Sequence, residues 1–187
     1  MNIGLDLDEV CCALMASALS SLRNDYGVEL TLEDFENYNF YECSYTENKY
    51  HNRNIAEYLD AITRDTSFLL SAKPFVGVKK TLSELKSRGH SIHIVTARTQ
   101  GEENNTKAWL KKHKLKVDSV THISRGQSKG LIGKELSLDI FVDDYVPNIE
   151  SMLEHSPGTQ NFLLAKPWGI WYSDKRVKKI KTLNEIL

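Results

Sequence analysis

Asp6 and Asp8 stand two residues apart in IGLDLDEV (residues 3–10), with Glu9 directly behind them. On an extended segment, side chains two apart face the same side, so both carboxylates would open onto one space while Ile3, Leu5 and Leu7 enter a core. Like charges that close together need a compensating cation, or one of them must keep its proton. The device recurs in IFVDDYVPN, where an apolar run ends in Asp143 and Asp144. Acids from two such strand ends could supply hard oxygen ligands for Mg²⁺, which takes a few carboxylates together with water and substrate phosphate. IHIVTART ends in Thr96 and Ala97 with Arg98 beside them. A hydroxyl, backbone N–H groups and a cation suit a phosphate oxygen. HISRGQSKGLIGKE then brings Arg125, Lys129 and Lys134 just ahead of the second acid pair. Each piece also has a plainer reading: Asp8 and the Asp143/Asp144 pair can cap the helices that follow them, and Thr96 can be an ordinary strand-end hydroxyl.

These residues need elements to hold them. IGLDL, SIHIVTA, VDSVTHI, LDIFVDD and NFLLA are short apolar runs bounded by turn residues and read as buried strands. Between them VKKTLSELKSRG, ENNTKAWLKKHK and VPNIESMLEH carry helical spacing. Alternation of strand and helix from residue 74 onward predicts an α/β fold, a Rossmann-like parallel sheet with helices on both faces. Active sites in such sheets lie beyond the carboxyl ends of the strands. Residues 10–73 break the rhythm: VCCALMASALSSLRNDYG is amphipathic, and the stretch after it is rich in Tyr, Phe, Asn and Glu with no strand alternation. An insertion of roughly sixty residues is too long for a simple connection. It reads as a small helical cap, so the expected organisation is a core of residues 1–9 and 74–187 with a cap over 10–73. At the other end, Val177, Ile180, Leu183 and Leu187 in SDKRVKKIKTLNEIL predict a closing helix.

Composition excludes several classes. The 187 residues carry 24 basic and 25 acidic side chains and are 41% hydrophobic, which fits neither a disordered chain nor a polycation for a nucleic-acid polymer. No apolar run reaches the roughly 18 residues of a membrane span, and charges stand where a signal peptide would have its apolar stretch, so a cytoplasmic location is expected. Cys11, Cys12 and Cys43 are too few and too poorly spaced for a disulfide framework. Histidines 51, 90, 93, 113, 122 and 155 show no zinc spacing. There is no Gly-rich phosphate loop ending in Lys-Ser or Lys-Thr, which speaks against a kinase.

Taken in order, DLDEV, VTAR, SKG and FVDDYVPN resemble the four motifs of the haloacid dehalogenase superfamily of phosphohydrolases, from residue 6 to residue 144. The insert after the first motif is similar to the superfamily's helical type 1 cap. The first motif, the cap position and LLAKPWG most resemble the 5'(3')-deoxyribonucleotidase-like nucleotidases. The resemblance implies that Asp6 is the nucleophile, forming an aspartyl phosphate, and Asp8 the acid/base; an acid there suits phosphoesters, whose leaving alkoxide needs a proton. It implies Mg²⁺ held by the Asp6 carboxylate, the Asp8 carbonyl and the Asp143/Asp144 pair, with Asp144 the direct ligand and Asp143 its partner. Thr96, Ala97 and Arg98 would bind the phosphoryl group, and Lys129, or Lys134 in its place, would balance the charge; SKG favours Lys129. Glu9 departs from the pattern, which most often has Gly there, and could crowd the cap or repel a second phosphate.

The expected function is that of a Mg²⁺-dependent phosphomonoesterase for a small phosphate ester, a nucleoside monophosphate first. The alternatives are a phosphatase for a sugar phosphate or other metabolite, and a catalytically silent module that holds a nucleotide or partner. Tyr38, Phe40, Tyr41 and Tyr45 could stack on a base or form the cap's own small core. Trp168 could border the pocket or pack the closing helix. The sequence leaves the oligomeric state open, a homodimer included.

Overall fold

The computed structural model describes residues 1–43, 52–98, 100–123 and 127–187. Tyr45, His51 and Arg125 lie outside the described residues. Six strands, β1 (Asn2–Leu5), β2 (Ser91–Thr96), β3 (Ser119–His122), β4 (Ile140–Asp143), β5 (Gln160–Leu164) and β6 (Val177–Ile180), pair in parallel in the order β3-β2-β1-β4-β5-β6. The strand order reverses between β1 and β4, which opens a crevice at their carboxyl ends. Leu5 pairs with Ile94 on one side and Val142 on the other, so the next residue, Asp6, comes level with Asp143.

The two sheet faces are read off alternate residues. Ile92, Ile94, Ile140, Val142, Phe162 and Leu164 join the first cluster, covered by Val78, Leu82 and Leu85 of α4 (Val78–Ser87) and Trp109 of α5 (Glu103–Lys112). Val95, Phe141 and Leu163 point the other way. They meet Ile132 of α6 (Lys129–Glu135) and Ile149 and Met152 of α7 (Val146–His155). Strands buried on both faces explain why their sequences are almost continuously apolar.

Between β1 and α4 the described chain forms helices α1 (Leu14–Tyr26), α2 (Asn52–Arg64) and α3 (Thr66–Ser71) and two short 3₁₀ turns. Met15, Ala18, Leu19 and Leu22 of α1 bury with Phe35 and with Ile55 and Leu59 of α2 in a cluster separate from the two on the sheet. The chain enters and leaves this segment side by side: Ala13 N–H donates to Lys73 O, Phe75 N–H donates to Cys11 O, and Cys12 pairs with Pro74.

The end of the chain corrects the sequence reading. No helix closes it; Val177–Ile180 is the edge strand β6, and Leu183–Ile186 a 3₁₀ turn. Residues three apart share a face on a helix but take opposite faces on a strand. Ile180 does belong to the first cluster, while Val177 packs against the second. The free edge of β5 supplied a partner that spacing cannot reveal. Exposed Lys178 and Lys179 blunt the new outer edge.

α6 and α7 approach at a distance only glycine permits, since a Cβ on Gly130 would lie 2.0 Å from the Ser151 carbonyl oxygen. Backbone cannot step aside as a flexible side chain can, and Gly130 follows the buried Lys129. Gly130→Ala is expected to cost about 3 kcal/mol by overpacking. Chemical denaturation would show it, and a midpoint unchanged from wild type would contradict this packing.

Candidate active site

Asp6, Thr96 and Asp143 sit where β1, β2 and β4 end, so the parallel sheet gathers them at one rim. Lys129 stands between two of them. It is the first residue of α6, placed by the Ser128 cap whose hydroxyl accepts from Leu131 N–H. Its ammonium lies 2.6 Å from Asp6 Oδ1 and 2.9 Å from Asp143 Oδ2, with the side chain only 1% exposed. Lys134, one turn further on, faces solvent.

The two aspartates that end FVDD are held differently. Asp143 accepts from Lys129 and from Asn148 Nδ2 at Oδ2, and from Tyr145 N–H at Oδ1. Asp144 accepts the Trp168 indole N–H at Oδ2, 2.9 Å away. Asp6, Asp143 and Asp144 each place one oxygen within 4.8 Å of the others, and all three are buried. Among the described residues this is the one group of acids, cysteines or histidines close enough to hold a metal ion. With Asp143 committed to three donors, Asp6 and Asp144 are the better placed to bind a hard cation.

Asp8 faces a different partner. Both its oxygens take hydrogen bonds from the buried Arg98, at 2.9 Å from Nε and 2.6 Å from Nη2. Arg98 N–H in turn donates to Thr96 Oγ1 at 3.2 Å. The structure therefore brings Thr96, Ala97 and Arg98 to the site, but Arg98 is engaged by Asp8. Asp8 does not cap α1. That helix starts at Leu14, and it is Glu9 whose Oε1 accepts from Met15 N–H at 2.6 Å. Glu9 also accepts from the buried Lys166 ammonium, 3.1 Å from Oε2, and holds a left-handed φ of 58°. A residue that costs strain there is repaid by tying α1 to the loop after β5. Its carboxylate is thus committed to two donors, which answers what an acid does at a position the motif usually gives to Gly.

A cavity of about 470 Å³ opens beside this cluster, lined on the sheet side by Asp8, Ala97 and Arg98 and on the other by Met15, Tyr38 and Trp168. Small-molecule sites run from about 300 to 1,000 Å³. Sequence reading missed Lys166 and Asn148 as part of this rim; KPW directly after a buried strand was the available signal for the loop that carries Lys166 and Trp168.

Burial pushes Asp6 from its ordinary 3.8 up to about 7, helped by the charges of Asp143 and Asp8 and opposed by Lys129. Burial together with Asp143, Asp6 and Glu9 pushes Asp144 well up too. Burial alone would lower Lys129, but Asp143 and Asp6 raise it above its ordinary value, so it stays charged. A group whose folded value lies above its unfolded one binds its proton more tightly when folded. In the metal-free protein the stabilisation from Asp6 is therefore complete below its ordinary 3.8 and is lost as the pH rises through about 7. Thermal melts in chelator should show the midpoint falling over that range, less so in Asp6→Asn. A divalent cation should raise the midpoint most at the alkaline end, because it favours the charged carboxylates. Equal pH slopes for wild type and Asp6→Asn would contradict this electrostatic account.

The profile of the family described as 5' nucleotidase, deoxy (Pyrimidine), cytosolic type C matches residues 1–185. A protein of Bacillus cereus named "Putative nucleotidase" is 30% identical over 91 residues, 48% of each chain, so the match spans about half of that relative. One of the same name from Oceanobacillus iheyensis is 26% identical over 150 residues, 77% of each chain. Among solved structures, a haloacid dehalogenase-like hydrolase of Streptococcus pneumoniae superposes with a TM-score of 0.62 at 15% identity, covering 99% of this chain and 96% of that one. A HAD-superfamily hydrolase of Geobacter sulfurreducens gives 0.58 at 14% identity over 99% and 93%. At such identities these likenesses establish the fold: a six-stranded α/β Rossmann-like sheet of the haloacid dehalogenase type.

Proposed function

The chain belongs to the cytosolic type C 5' nucleotidase family, and on that premise we propose that it is a Mg²⁺-dependent phosphomonoesterase that hydrolyses a nucleoside monophosphate through an aspartyl phosphate on Asp6. The observation that carries the reading is the buried Lys129 set between Asp6 and Asp143, with Asp144 within reach of the same point. A nucleophilic carboxylate needs its charge steadied, its lone pair aimed and its neighbours kept ionised, and Lys129 supplies the first and third of these.

The residues present fit a small hard cation. The Asp6 and Asp144 carboxylates would hold it together with the Asp8 backbone carbonyl, with Asp143 bracing Lys129 behind them. When bound, Mg²⁺ offsets the repulsion between these acids and the phosphate and draws charge from the phosphoryl oxygens. The protein's own groups do the rest. Asp6 Oδ attacks phosphorus while the ester oxygen leaves with a proton from Asp8. Asp8 then takes a proton from water, the hydroxide attacks phosphorus, and inorganic phosphate departs from Asp6. Arg98 donates to each oxygen of Asp8 and so orients the carboxyl that carries this proton, while the Arg98 backbone N–H holds Thr96 Oγ1 beside it.

The leaving group would occupy the cavity beneath residues 10–73, which act as a cap on a core of residues 1–9 and 74–187. Tyr38 and Trp168 in the cavity wall support a flat, aromatic leaving group such as a nucleoside. Among the described residues no helix is long and apolar enough to cross a membrane, and the family's description supports a cytosolic site of action.

Phosphate release from nucleoside 5'- and 3'-monophosphates and from sugar phosphates, with Mg²⁺ and with chelator, tests the proposal. We expect metal-dependent release from nucleotides and a loss of at least about 10³-fold in Asp6→Asn. Turnover of sugar phosphates alone would discard the nucleotide assignment, and full activity in Asp6→Asn would discard the mechanism.

A further inference from the structure

Trp168 stands apart from the other residues around the acids. It lies in the 3₁₀ turn Pro167–Gly169 after β5, yet its ring is buried in the cluster of the helical segment, with Met15, Leu19, Leu22 and Phe35, rather than in either cluster on the sheet. Its indole N–H, 2.9 Å from Asp144 Oδ2, is the hydrogen bond that Asp144's carboxylate receives among the described residues, where Asp143 receives three. The turn is itself fixed. Gly169 N–H donates to Lys166 O, the Trp171 indole donates to Trp168 O, and Lys166 is tied to Glu9.

We propose that Trp168 is a positioning residue for metal binding: its N–H holds one oxygen of Asp144 and thereby turns the other toward Asp6. A neutral donor suits this task because it orients the carboxylate without cancelling the charge a cation needs. Partners that orient a ligand in this way commonly change metal affinity by about 10- to 100-fold when removed. Trp168 is 7% exposed and its bond to Asp144 is buried, so water does not compete for the N–H. Tyr38 packs edge-to-face with it, 6.1 Å away between centroids. The proposal rests on the cation site put forward above, and its test reads binding rather than turnover.

Mg²⁺ titrations by calorimetry on the full chain, wild type against Trp168→Phe, decide it. Phe keeps an aromatic ring at this site and removes the donor. We expect Mg²⁺ to bind about 10-fold or more weakly to Trp168→Phe, with metal-free melting showing that the variant is folded. If the variant does not fold, replacement of Trp168 by benzothienylalanine keeps the indole's shape without its N–H and should give the same loss. Equal affinities in wild type and variant overturn the role of Trp168 and leave the cation site standing. A wild type that binds no Mg²⁺ overturns the cation site and this role together.

Discussion

A lysine ammonium with its side chain 1% exposed has to find negative charge, and Lys129 finds it in two aspartates from different strands. Removing Lys129 would leave the buried aspartates without their positive charge, an arrangement that costs several kcal/mol. Backbone pairing sets β1 beside β4, and Lys129 ties together the two carboxylates at their ends, at the point where the sheet reverses its order. An imbalance remains. Lys129 faces three buried acids, Asp6, Asp143 and Asp144, with one positive charge; burial, and then the neighbouring acids, raise Asp6 and Asp144. Acids in such excess over the one lysine are close enough together to hold a metal ion.

The surrounding architecture serves that arrangement. α6 must begin at the rim for Lys129 to reach inward, and it can lie against α7 only because Gly130 has no side chain. α1 must begin beside the acids, and Glu9 secures it by accepting from Met15 N–H while gripping Lys166. The loop after β5 then serves twice, with Lys166 on Glu9 and Trp168 on Asp144. The helical segment is thus joined to the sheet by polar contacts made within a few residues of the candidate nucleophile.

Much of the sheet was legible because strands buried on both faces leave long apolar runs, and the acids stand out where those runs end. The closing segment was not legible: Val177 and Ile180 fit a helix by spacing, and only the open edge of β5 made a strand of them. Only the SKG resemblance set Lys129 before Lys134 in sequence; burial of one against exposure of the other comes from which way α6 turns. Glu9 could be read only as crowding the cap or repelling a second phosphate, because its two partners lie six and 157 residues away. The bond between Arg98 and Asp8 spans 90 residues and was equally hidden, although both residues were marked as parts of one site. Long-range polar pairs leave no periodic trace, which is why the residues were visible and their pairings were not.

The central claim is that Asp6 itself carries the phosphoryl group. Turnover stopped within milliseconds by acid, followed by borohydride reduction and peptide mass spectrometry, would test it directly, because an aspartyl phosphate is reduced to homoserine and a free carboxylate is not. The account predicts homoserine at position 6 and at no other aspartate, formed only when substrate and Mg²⁺ are both present. Rapid phosphate release with Asp6 left unreduced, or homoserine at another position, would contradict it.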